Sequence, residues 1–233
     1  MRMFLDDLAI KLQELSRLGF KDWLAECQPV TATTSIIIVP GWRDSGPGHW
    51  QSLWAERLPH ARRVVQDDWI TPTRSAWVSQ LEKTVLAAPQ PVVIVAHSLG
   101  CIATTHMGCE AAARVCGALL VAPADPERRA VLSDFAPVPF APPPCRSIVV
   151  ASSNDPFCPI RLAGAYARAW GSEFVHMQNA GHINIDSGHG EWPLGWALLQ
   201  SLQGDLARGV AHSSVTVQVS AAAAQQAAGL ECS

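Results

Sequence analysis

Charge is scarce in this chain. Asp, Glu, Lys and Arg make up 16% of its 233 residues, against about 25% in an average soluble domain. Its 17 basic and 20 acidic residues leave a formal net charge of −3. No basic field exists to gather phosphates, so nucleic acid is not an expected partner. Long apolar runs are missing as well. The best candidate, 91–103, is interrupted by His97 and Ser98 and falls short of the roughly 18 residues that span a bilayer, so no membrane is expected either. Asp6 and Asp7 stand where a secretory signal would build its apolar stretch. The seven cysteines form no Cys-x-x-Cys pair and, being odd in number, cannot all pair within one chain. Free thiols in a reducing, cytoplasmic setting are the expectation. Neither Cys nor His shows zinc-ligand spacing, so no metal or other cofactor is expected. The phosphate-loop Lys and a Gly-x-Gly-x-x-Gly run are both absent, which argues against nucleotide binding. Tyrosine occurs once, against nine tryptophans.

What is present is a chain 48% apolar, able to bury a sizeable core. At roughly 150 residues per domain its length fits one or two domains, and one is the better reading. Residues 1–33 read as a helical extension, because Leu5, Leu8, Leu12, Leu15 and Leu18 line one helical face and Gly19 can stop it. That helix packs on the body or serves a homodimer or partner contact. Residues 207–233 turn Ala- and Gln-rich and read as a flexible tail.

Between them, 34–206 alternates β-branched runs with helical patterns. Strands are expected at 35–39, 61–66, 92–96, 117–122, 147–151 and 174–178. Helices are expected at 73–87, 99–112, 161–170 and 192–202. Strands apolar on both faces and separated by helices imply a mostly parallel, doubly wound sheet in a three-layer α/β domain. Ligands of such sheets sit at the carboxyl ends of the strands.

One of those ends reads Ala96-His97-Ser98-Leu99-Gly100, between a buried strand and a helix. This fits a nucleophile elbow, whose turn is so tight that the residues two before and two after the central Ser must be small. Gly100 meets that need, and Ala96 exceeds the usual Gly by one methyl. A Ser hydroxyl needs a base to take its proton and a third group to orient that base. In this architecture the acid and then the His follow at later strand ends. Asp155 follows the strand at 147–151, and His182 follows the strand at 174–178. Asp125, after the strand at 117–122, is the rival acid. His49 and His189 are loop residues without a preceding strand, and His97 lies inside the elbow. The developing oxyanion needs donors. Leu99 N–H at the helix start and Trp42 N–H in the loop after the first strand are chosen, since Pro40 has none to give. Cys101 and Cys158 read as packing residues, with no base placed for them.

Val39-Pro40-Gly41-Trp42, Gly46-Pro47-Gly48-His49-Trp50-Gln51, Gln66-Asp67-Asp68-Trp69, the elbow, and Gly181-His182-Ile183-Asn184 with Ser187-Gly188-His189-Gly190-Glu191-Trp192-Pro193 carry a resemblance. Together they resemble the small α/β-hydrolases related to retinoblastoma-binding-protein serine hydrolases, over about 35–203. The resemblance implies Ser98 as nucleophile, Asp155 as acid, His182 as base and a minimal lid, with the Pro-rich 123–146 as a short cover. The Leu-x-Cys-x-Glu signature of retinoblastoma binding is missing, so that interaction is not implied.

Trp42, Trp50 and Trp69 flank the first strand ends and are expected to line a substrate pocket. Basic residues look sparse there, which favours small esters or amides of apolar acids over strongly anionic substrates. Two functional classes follow. One is a serine hydrolase working through an acyl-enzyme. The other is an idle hydrolase scaffold that binds a partner through its leading helix.

Overall fold

Three consecutive isoleucines leave Ser35–Val39 no helical stripe to present, and β-branched side chains suit an extended backbone buried on both faces. All five residues are buried in strand β1. The structure is a computed structural model that describes Ile10, Gln13, Glu14 and residues 34–58, 60–89, 91–141, 143–208 and 216–219. After β1 come α1 (Trp50–Arg57), β2 (Ala61–Arg63), α2 (Arg74–Leu86), β3 (Val92–His97), α3 (Leu99–Thr105), α4 (Cys109–Ala112) and β4 (Val115–Val121). Two 3₁₀ turns, Pro126–Arg128 and Ala130–Phe135, lead to β5 (Arg146–Ser152), α5 (Ile160–Ala169) and β6 (Glu173–Met177). A third 3₁₀ turn, Ile185–Ser187, precedes α6 (Pro193–Arg208) and β7 (Thr216–Val219).

The seven strands form one sheet in the order β2-β1-β3-β4-β5-β6-β7, and every pairing is parallel. Alternate residues of each strand feed different layers. Ile37, Val39, Ile94, Ala96, Leu120 and Val149 join the core under α2, α3 and α5. Ile36, Ile38, Val93, Val95, Leu119 and Val150 join the core under α1 and α6. Each fully buried side chain of this kind stabilises by about 1.5–3 kcal/mol. The doubly wound α/β expectation therefore holds. From β1 the chain moves one way to β2 and then returns past β1 to β3. Ligands of open α/β sheets bind at such a reversal, outside the carboxyl ends of the two central strands.

The expected helix 99–112 is two helices: the first stops at Thr105 with His106 as its C-cap, and Gly108 is the N-cap of α4. Helix α1 and the 3₁₀ turns had no counterpart in the sequence reading. The domain, read as ending at 206, runs on: α6 reaches Arg208 and Thr216–Val219 pairs with β6. Thr216, Val217 and Val219 are β-branched, which suits an added edge strand; the rest of the tail expected over 207–233 lies outside the described residues. So does the leading helix, apart from Ile10, Gln13 and Glu14. Among the described residues no helix is long and apolar enough to cross a membrane.

Candidate active site

At the end of β3, Ser98 takes φ 54° and ψ −120°, a backbone conformation that costs a non-Gly residue about 1–3 kcal/mol. Its neighbours hold it there. Ser98 N–H donates to Val121 O at 2.9 Å, and Ser98 O accepts from Cys101 N–H at 3.1 Å. The small residues follow from the crowding. A Cβ on Gly100 would stand 2.5 Å from Val39 O and 2.6 Å from Pro40 O, and one on Gly41 would stand 2.7 Å from Ser98 Cβ. Neither close approach of backbone survives a side chain.

The turn lifts Ser98 Oγ to 3.0 Å from His182 Nε2. His182 Nδ1 lies 3.0 and 2.9 Å from the two Asp155 oxygens. One of those oxygens also accepts the Phe157 N–H at 2.8 Å. Each of the three side chains belongs to a residue only 8% exposed, so water competes weakly for these bonds. Nδ1 facing a carboxylate carries the proton, which leaves Nε2 free to accept from the hydroxyl. The chain therefore brings the expected Ser, His and acid together. The rival Asp125 is spent elsewhere, accepting from Glu127 N–H at 3.1 Å and facing Arg128 at 3.6 Å.

Side chains that sequence reasoning did not single out hold the loops in place. Asn154 Oδ1 accepts from Ser152 Oγ–H and from Gly181 N–H, both at 2.8 Å. Ser152 Oγ accepts from Ala180 N–H at 2.9 Å. The acid loop and the histidine loop are thereby stapled to each other. Gln51 does the same for the elbow, donating to Val39 O at 3.0 Å and Val95 O at 3.1 Å. A Gln beginning a helix beside two strand ends carries no sequence signal for this. His97 Nε2–H donates to His182 O at 2.9 Å, so the elbow histidine props the backbone of the other.

Of the expected oxyanion donors, Leu99 N–H opens α3. In the loop after β1, Arg43 N–H goes to Trp69 O and Asp44 N–H to Gly41 O; Trp42 N–H takes part in neither bond. The cleft above Ser98 has a volume of about 310 Å³, and its walls include Trp42, His49, Leu132, Phe157 and His182. Only one of the three expected pocket tryptophans is among them. Trp50 is fully buried in the α1 and α6 layer, donating to Ile183 O. Trp69 packs edge-on against Trp77 in the other layer. Helix α1 carries Trp50, Leu53 and Trp54 at helical spacing, which turns Trp50 inward. The expected shortage of basic residues is also overturned: Arg43, Arg128 and Arg129 border the cleft.

The elbow and the loop after β1 stand at the reversal between β1 and β3, and a family model described as serine hydrolase matches residues 36–201. The chain belongs to the serine hydrolase family. This serine hydrolase is similar to a YdeN-like hydrolase of Pectobacterium atrosepticum, with 31% identity and a TM-score of 0.68 over 85% of this chain and 98% of the other. The YdeN protein of Bacillus subtilis is 23% identical, with a TM-score of 0.64 over 74% of this chain and 100% of the other. Thermogutta terrifontis esterase 2, in a structure phosphorylated by paraoxon, shares the fold at 15% identity and a TM-score of 0.52, covering 76% of this chain and 82% of its own. No functionally curated protein matches the chain.

In this serine hydrolase two thiols and two imidazoles near the site are shifted toward their neutral forms by burial. Burial pushes the Cys158 thiol up to about 12 and drives the Cys101 thiol upward too, so neither is a thiolate nucleophile at neutral pH. Burial, aided by Arg63 and His182, lowers His49 to about 4, and burial lowers His97 well below its usual value. An unfolded chain binds protons on both imidazoles near pH 6.5, whereas the folded chain resists. The stability that depends on keeping these two imidazoles neutral is therefore fully present above pH 6.5 and is lost as pH falls toward 4. His49 alone is expected to remove about 2–3 kcal/mol between pH 7.5 and 4.5. Urea midpoints at the two pH values measure this, and His49→Asn, which keeps an N-cap acceptor, is expected to show a smaller fall.

Proposed function

We propose that this serine hydrolase cleaves small carboxylic esters, with amides and thioesters as the related substrates, through an acyl-enzyme on Ser98. Ser98 Oγ attacks the carbonyl carbon while His182 Nε2 takes the hydroxyl proton. Asp155 holds the imidazole in the accepting tautomer and faces the imidazolium that forms. The N–H groups of Trp42 and Leu99 stabilise the oxyanion, and the positive end of α3 favours the same charge. Collapse expels the leaving group, which receives the proton from His182. Water then repeats the sequence on the acyl carbon, releasing the acid and restoring Ser98. No cofactor enters these steps.

The observation that carries this reading is the unbroken contact from Ser98 Oγ through His182 to Asp155, at 3.0 and 2.9 Å. A cleft of about 310 Å³ is at the lower end of ligand pockets, which run from about 300 to 1,000 Å³, and favours a small substrate. Within the family, the Pro-Gly-Trp and Gly-His-Trp motifs of the first loop favour the retinoblastoma-binding-protein-type branch. A fluorophosphonate probe tests the chemistry, with mass spectrometry locating the adduct. One label per chain, on Ser98, is expected. Native protein that takes up no label would overturn the reading and favour an idle scaffold.

A further inference from the structure

The cleft is bordered by six charged side chains: Arg43, Asp44, Asp125, Arg128, Arg129 and Asp186. Their charges do not cancel locally. Asp44 is held by Arg63, and Asp125 faces Arg128, which also donates to Pro156 O at 3.1 Å. Among the described residues, Arg43 and Arg129 have neither an ion pair nor a side-chain hydrogen bond, and of the three cleft carboxylates Asp186 is the one without a cation.

The two free guanidinium groups are nevertheless held. Arg43 Cζ lies 4.3 Å from the centre of the Trp42 ring, and Arg129 Cζ lies 5.6 Å from the same centre. Arg129 also sits 4.8 Å from the Phe157 ring, whose other neighbour is the His182 imidazole at 4.4 Å. Trp42 itself is fixed by its Nε1–H, which donates to Ile70 O at 2.9 Å. Arg43 takes a φ of 69°, a left-handed backbone that a non-Gly residue adopts at a cost. Cation–π contact holds each guanidinium beside the ring, and on these exposed residues its N–H groups stay open to a ligand. Two like charges gathered on one indole, in the cleft that holds the reacting serine, favour an anion there.

We propose that the substrate carries a carboxylate, which Arg43 and Arg129 bind on the Trp42 platform while the ester lies over Ser98. This deepens the hydrolase reading and rests on it for the reaction. A planar guanidinium matches a carboxylate edge to edge, which makes arginine the suited residue. Asp186, on the same cleft, disfavours a second negative charge.

Matched esters test the proposal and locate the carboxylate. The acyl side is read by 4-nitrophenyl hydrogen glutarate against 4-nitrophenyl pentanoate. The leaving group is read by 4-carboxyphenyl pentanoate against phenyl pentanoate. In one of the two pairs the charged ester is expected to have a kcat/KM about 10-fold or more above the neutral one. The double variant Arg43→Gln, Arg129→Gln brings that ratio to about 1, and Arg129→Lys retains part of it. Equal turnover of charged and neutral esters in both pairs, or a ratio that survives the double variant, overturns the proposal while leaving the hydrolase reading intact. A protein that neither labels with fluorophosphonate nor cleaves any ester overturns the hydrolase reading instead. Glutarate titrated calorimetrically then decides: binding that the double variant weakens about 10-fold or more upholds the carboxylate site, and equal or absent binding overturns it.

Discussion

Ser98→Ala is expected to lose esterase turnover by about 10⁴-fold or more while its urea midpoint stays at the wild-type value. The hydroxyl is the only group removed, and among the described residues its hydrogen bond to His182 Nε2 at 3.0 Å is the one it makes. The fold asks nothing further of it. The strained turn at φ 54° is held through backbone bonds to Val121 and Cys101, which alanine makes equally well. Alanine also keeps the Cβ against which Gly41 packs. Loss of the acyl-enzyme route leaves oxyanion stabilisation and binding, which sustain a small residual rate over water. Parallel measurements of kcat/KM on a 4-nitrophenyl ester and of the unfolding midpoint check both halves. Wild-type turnover in the alanine variant would remove Ser98 from the mechanism, and a lost midpoint would show a structural duty that its contacts do not reveal.

The legibility of this protein in its sequence follows the physics of each signal. Strands buried on both faces, such as Ile36-Ile37-Ile38-Val39, announce themselves by composition, and so the sheet and its layers could be read. The elbow was legible because tight backbone approach permits only small residues: Gly100 faces Val39 O and Pro40 O. Asp155 and His182 were legible because each stands where a strand stops. Side-chain direction was not. Trp50 and Trp69 stand near the right strand ends, yet the turn of α1 sends Trp50 into the core and Trp69 packs on Trp77. Long-range polar staples were hidden for the same reason, since Asn154 meets Gly181 and Gln51 meets Val95 only after folding. The arginines were missed because Arg128 and Arg129 are distant in sequence from Ser98 and reach the cleft only through the 3₁₀ turns after β4. Local pattern reports what a residue's own element does, and cleft walls are assembled from several elements.

Asp155→Asn is expected to lower kcat by about 10⁴-fold with the fold retained. The replacement has the same size and shape, so the loss is one of proton placement. Asp155 accepts from His182 Nδ1–H through two oxygens, at 3.0 and 2.9 Å, and from Phe157 N–H at 2.8 Å. In asparagine the carbonyl oxygen is best used on the fixed Phe157 N–H, which turns the amide N–H₂ toward the ring. A donor facing Nδ1 selects the tautomer with its proton on Nε2. That nitrogen then donates to Ser98 Oγ and cannot accept from it. The imidazolium also loses its buried counter-charge, worth the most where solvent is excluded. KM should change far less than kcat, because Asp155 stands behind the imidazole, on the side away from Ser98. Asp125→Asn is the contrast, since that carboxylate serves Glu127 N–H and Arg128, and its loss should stay below about tenfold. Steady-state kinetics of the two variants side by side decide between the acids: a reversal of their order would give the orienting role to Asp125.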